Sequence, residues 1–130
     1  VLENPDIVTY GYPNMTNTSR DSSYLKNCNI SAAFMSYGMY IQTETGTTVD
    51  ASELGVKDIK VQIKNGIFWN TIATSGGGSV TNDHTFCGSC DCTNAVSGET
   101  YRIKCTHYAY IGGNYYHYDN TTDGFKYVKP

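Results

Sequence analysis

The sequence predicts an all-β fold, an antiparallel β-sandwich of immunoglobulin-like type with about seven or eight strands. Three observations carry that expectation. Apolar and polar residues alternate cleanly in "DIKVQIK". Asn65-Gly66 and Gly112-Gly113 supply tight turns between alternating runs. Only one short stretch, "TTVDASELGV", has a helical look.

The 130 residues fit one domain. Residues 1–22, "VLENPDIVTYGYPNMTNTSRDS", show no sustained period and read as an N-terminal arm or edge segment. Residues 23–130 read as the single sandwich domain. From Tyr24 the period is two, with Cys28, Ile30, Ala32 and Phe34 on one face. Gly38 breaks the run before "MYIQTET" resumes it. "TTVDASELGV" is expected to form a short helical turn capped near Asp50 and stopped by Gly55.

In "DIKVQIK" the inward set is Ile59, Val61 and Ile63, and the outward set is Asp58, Lys60, Gln62 and Lys64. Asn65-Gly66 then predicts a type I′ turn into "IFWNTIA", with Trp69 as a core residue. "TSGGGS" reads as a flexible connection, since neither a helix start nor a Lys-Ser/Thr pair follows it. A strand is expected near residues 79–86, followed by a cysteine loop over residues 84–92. "GETYRIKCTHYAY", "NYYHYDN" and "GFKYV" then complete the strands. Gly98 and Tyr101 suggest a tyrosine corner at the start of the first of these.

Charge and composition narrow the function classes. Net charge is -3, and the 9 basic residues form no run, which argues against a nucleic-acid partner. No apolar stretch approaches the roughly 20 residues of a membrane span, so no membrane insertion is expected. A chain rich in Thr, Asn, Gly and Tyr, starting at Val1 and carrying 5 cysteines, fits a secreted, extracellular protein whose signal peptide has been removed. Sequons occur at Asn14, Asn17, Asn29 and Asn120, about half of which chance would supply in so Asn- and Thr-rich a chain. Asp83, Asp91, Asp119 and Asp123 all occupy turn-prone contexts, so no carboxylate pair suggests hydrolysis, and the protein is expected not to be an enzyme.

"HTFCGSCDC", residues 84–92, offers two readings. Cys28 and Cys105 face the core of their strands and could bridge, while Cys87, Cys90 and Cys92 would pair locally. Five cysteines allow at most two intrachain disulfides. Alternatively, His84, Cys87, Cys90 and Cys92 supply the ligand number of a zinc site, although Cys90 and Cys92 are closer than the usual pair. A redox or catalytic thiol lacks both the helix that would lower its pKa and an orienting third group. The stapled loop is the expectation and the metal site the alternative; no cofactor is otherwise implied.

A Gly112-Gly113 turn would pair Tyr110 with Tyr115 and Tyr108 with His117 on the outer face, and Ala109 with Tyr116 and His107 with Tyr118 on the inner one. Tyr108, Tyr110, Tyr115 and His117 are thus the candidate ligand-binding residues for a glycan or a surface protein, because a tyrosine offers a flat apolar face and a hydroxyl. The same rings would stabilise the hairpin by about 0.2 to 1 kcal/mol per cross-strand pair without any ligand. His107, on the inner face, reads as a hydrogen-bonded interior histidine.

"SSYLKNCNIS", "IKVQIKNGIFWNTIA" and "GETYRIKCTHYAYIGG" resemble a group of small secreted proteins of Gram-positive gut bacteria (gut Firmicutes), defined by a domain of unknown function. The resemblance spans roughly residues 23–127 and rests on Tyr101, Arg102, His107 and the Gly-Gly turn. It implies an extracellular β-sandwich made with a signal peptide, and names no chemistry. "FCGSCDC" departs from the group, so the cysteine arrangement is particular to this chain.

Overall fold

A computed structural model describes residues 24–130 and the backbone of residues 7–11. The remainder of the arm read over residues 1–22 lies outside the described residues, as do Asn14 and Asn17. The described chain is all-β and antiparallel, without a helix. Its strands are β1 (Ile7–Gly11), β2 (Leu25–Met35), β3 (Gly38–Asn65), β4 (Phe68–Ser75), β5 (Gly78–Cys92), β6 (Thr100–Ile111), β7 (Asn114–Thr121) and β8 (Phe125–Lys126).

All eight are hydrogen-bonded into one sheet that curls into a half-barrel. Its spine is β3, 28 residues long. Along one edge β3 pairs first with β2 and then with β6; along the other it pairs with β5 and then with β4. β7 and β8 extend β6, and β1 pairs with β2. Two neighbours in succession on each edge require a bend. β3 bends where its ladder to β5 shifts between Gly46 and Ala51, and where its ladder to β6 shifts between Lys57 and Lys60. Asp58, with φ +54°, supplies the extra residue at the second shift.

The helical turn expected over Thr47–Val56 is therefore absent. Ala51, Leu54 and Val56 are buried, and from Glu53 to Val56 the backbone is bonded to β5 and β6 at once. Two flanking ladders outweigh a weak local preference.

The curl brings β2 over β6, β7 and β8. The Tyr127 hydroxyl donates to the Met35 carbonyl (2.6 Å), and the Asn120 amide donates to the Cys28 carbonyl (3.1 Å). Phe34 packs on Phe125 and Tyr127, with ring centroids 5.8 and 5.3 Å apart. Inward residues of β2, β3 and β6, among them Ile30, Met39, Ile41, Leu54, Tyr101 and Ile103, fill the concave side. Asn120 is buried with its amide engaged, so its sequon is closed in the folded chain.

The β3–β4 hairpin forms, shifted by one residue. Asn65 pairs with Phe68, leaving Gly66 and Ile67 as the turn. Gly66 has φ +66° and Ile67 no positive φ, the pattern of a II′ turn rather than the expected I′. That register sets Trp69 opposite Lys64 on the outer, convex face. Trp69 is thus half-buried beneath the Arg102 guanidinium, 4.5 Å from the ring centroid, and is not a core residue.

Candidate functional site

The β6–β7 hairpin has the register expected of it: Tyr110 opposite Tyr115, Tyr108 opposite His117, Ala109 opposite Tyr116 and His107 opposite Tyr118. Gly112 and Gly113 both have positive φ, 59° and 81°, as a two-residue I′ turn requires. On the outer face the rings run in a row. Tyr110 and Tyr115 lie 5.1 Å apart, and Tyr115 stacks on His117 at 5.4 Å with an interplanar angle of 19°. Tyr110, Tyr115 and His117 are exposed, whereas Tyr108 is buried and floors the row, 6.1 Å from Tyr110 and 6.2 Å from Tyr115.

β3 runs beside the hairpin in the same sheet and adds two charged residues. Glu53 pairs with Tyr110, and its carboxylate accepts the Tyr108 hydroxyl at 2.6 Å. The Lys57 ammonium lies 4.9 Å from the Tyr115 ring centroid and 5.5 Å from that of Tyr108. The Tyr115 hydroxyl raises the Lys57 pKa, so the ammonium stays charged at neutral pH. Burial, and then the bond to Glu53, raises the pKa of Tyr108 and keeps it a neutral donor. Neither Glu53 nor Lys57 was among the expected site residues, because both fall in or beside the segment read as helical. Their parity, Glu53, Gly55, Lys57, is the signal that would have placed them on the outer face.

The cysteine segment is the main correction. Residues 84–92 continue β5 instead of forming a loop, pairing with β3 from Met39 to Gly46. Strand alternation then sends Cys87 outward, opposite Glu44, and Cys90 and Cys92 inward, opposite Ile41 and Met39. His84 is exposed and bonds Asp50 at 3.2 Å. Thus His84, Cys87, Cys90 and Cys92 are not brought together. Among the described residues no group of three His, Cys, Asp or Glu side chains could hold a metal ion.

The expected disulfides are also absent: Cys28, Cys87, Cys90, Cys92 and Cys105 are all free thiols. Cys90 and Cys92 project in parallel from one strand. Cys105 turns its sulfur to His107 Nε2, at 3.4 Å. Burial pushes the Cys28 thiol up to about 12 and also raises Cys90, Cys92 and Cys105, which makes these four poor nucleophiles. Cys87 is the exposed one. Brief treatment with iodoacetamide should therefore alkylate Cys87 first, with Cys28, Cys92 and Cys105 reacting only on unfolding. Peptide mass mapping would contradict this arrangement if Cys28 or Cys105 reacted as fast as Cys87.

His107 is fully buried and does not reach the aromatic face. The Thr45 hydroxyl donates to the Gly55 carbonyl at 3.0 Å and so is left to accept from His107 Nδ1–H, at 2.8 Å. His107 Nε2 then accepts from the Asn120 amide at 3.1 Å and faces the Cys105 thiol. Both ring nitrogens are engaged with interior groups, as the inward parity of His107 implied.

Comparison with known proteins finds no matching family model, no matching curated protein and no matching solved structure.

Proposed function

We propose that this chain is a secreted, non-enzymatic interaction module that binds carbohydrate on the outer face of the β6–β7 hairpin. One observation carries the reading. Tyr110, Tyr115 and His117 form a continuous row of exposed rings with an ammonium from Lys57 and a carboxylate from Glu53 at its edge. Exposed aromatic rings suit the C–H side of a sugar, and a nearby ammonium and carboxylate suit its hydroxyls. Composition supports the extracellular setting, as does the resemblance to the secreted gut-bacterial group. An immunoglobulin-like sandwich remains the finer reading of the fold, supported by the packing of β2 over β6–β8 and by the Tyr101 hydroxyl, which accepts the Val96 N–H at 2.7 Å.

The test is capture on a glycan array by the wild type and by the Tyr110→Ala/Tyr115→Ala double variant. Both side chains are exposed, so the fold should survive, as circular dichroism will show. Loss of two stacking platforms is expected to weaken capture by at least about tenfold, or roughly 1.4 kcal/mol. An array without a ligand, or capture that survives the double substitution, would overturn the proposal.

A further inference from the structure

The strongest exposed apolar feature is a hairpin tip at the far end of the sheet from the aromatic row. Ile67 is 85% exposed and Phe68 67% exposed at the tip of the β3–β4 hairpin. A turn does not require large apolar residues there; burial elsewhere explains neither.

The sheet also gathers cations that the sequence scatters. Lys60 pairs with Lys104, Gln62 with Arg102, Lys64 with Trp69, and Thr100 with Lys126. Paired residues of adjacent antiparallel strands share a face, so Lys60, Lys64, Arg102, Lys104 and Lys126 all lie on the outer face, with Lys64, Arg102 and Lys126 nearer the tip than Lys60 and Lys104. These are five of the 9 basic residues of a chain whose net charge is -3. Asp58 and Asp119 share a groove with Lys60 and Lys104, and Asp123 precedes Gly124, which lies against the Trp69 indole. The exposed Glu99, next to Thr100, adds a fourth carboxylate, so five cations meet four carboxylates and the patch keeps a small positive excess on a negative protein.

We infer that the Ile67–Phe68 tip and the Lys64–Arg102–Lys126 surface beside it dock on an anionic lipid bilayer. The tip enters the headgroup boundary and the cations face lipid phosphates and carboxylates. This is peripheral docking; among the described residues no helix is long and apolar enough to cross a membrane. A bilayer fits better than a protein partner for a geometric reason. Two side chains on a convex turn cannot supply the roughly 800 Å² per partner of a stable protein interface, whereas a bilayer accepts an apolar tip without shape complementarity. Charge complementarity selects the anionic surface. Tyr110 is eight residues along β6 from Arg102, about 27 Å at strand rise, so docking leaves the aromatic row free.

Trp69, the single Trp, stands one position from Phe68 and reports the event. The wild type should sediment with large vesicles containing about one third phosphatidylserine at roughly 0.1 M salt. Its Trp emission should shift to the blue, and binding should weaken as salt screens the charges. Pure phosphatidylcholine vesicles should bind it much less. The Ile67→Ser/Phe68→Ser variant alters only exposed side chains, so it should keep the wild-type melting temperature and lose roughly tenfold in partitioning. No sedimentation of the wild type, equal binding to neutral and anionic vesicles, or equal partitioning of the folded variant would each overturn the inference.

Discussion

Lowering the pH from 7 to 4 is expected to remove about 3 kcal/mol of folding stability through His107. Burial depresses the His107 pKa from 6.5 to about 4. Both ring nitrogens are already committed, Nδ1 as donor to Thr45 and Nε2 as acceptor from Asn120, so a second proton would face an amide N–H. Between pH 6.5 and 4 the unfolded chain binds a proton that the folded chain does not, and acidification therefore favours unfolding. The loss begins as pH falls through 6.5 and is complete below about 4. For a domain of this size it corresponds to roughly 10 °C in melting temperature. The shifted cysteines, tyrosines and Lys57 move upward and titrate above this window. His107→Gln, though less stable at pH 7, should lose most of the slope. Urea midpoints at several pH values decide it: an unchanged slope in that variant would place the acid sensitivity elsewhere.

The buried faces were legible in the sequence because period-two alternation is a local property. Cys28, Ile30, Ala32, Phe34, Tyr101, Ile103, Cys105, His107 and Ala109 are all buried, as their parity required. What escaped was non-local. "TTVDASELGV" looks helical in isolation, and distant ladders hold it extended: β2 at Thr47, β5 through residues 78–83 and β6 through residues 107–110. Nor does a sequence show that β3 runs unbroken for 28 residues and changes neighbours on both edges. That single strand joins the other strands into one curled sheet.

The candidate site divides in the same way. The hairpin register followed from Gly112-Gly113, so the ring row was legible. Its charged edge was not, because Glu53 and Lys57 reach the rings only through the β3–β6 pairing. "HTFCGSCDC" misled for a related reason. Glycine, serine and aspartate suggest a loop, but these residues alternate in and out along β5. Gly88 lies where a Cβ would come within 2.6 Å of the Phe86 ring, so that glycine serves side-chain packing and not a turn.

Truncating Tyr101 should destabilise the fold severely. Tyr101 is fully buried, pairs with Ile63 on β3 and Phe125 on β8, and accepts the Val96 N–H through its hydroxyl at 2.7 Å. That bond pins the segment before β6. Within it, Gly98 N–H donates to the Tyr127 carbonyl at 2.7 Å, and Tyr127 N–H to the Glu99 carbonyl at 3.0 Å. Tyr101→Phe keeps the ring and orphans one backbone donor, at a cost of about 1 to 2 kcal/mol. Tyr101→Ala also leaves a cavity among Ile63, Phe125 and their neighbours, and is expected to cost about 3 to 5 kcal/mol. Urea denaturation of the two variants with an unchanged m-value separates the hydroxyl from the ring. If Phe matched the wild type, the corner bond would contribute nothing net; if Ala cost no more than Phe, the ring would not be a core element. Tyr110 lies nine residues along the same strand, so below their melting temperatures both variants should keep whatever capture the aromatic row provides. A loss of capture in the folded Phe variant would instead show that the two ends of β6 are mechanically coupled.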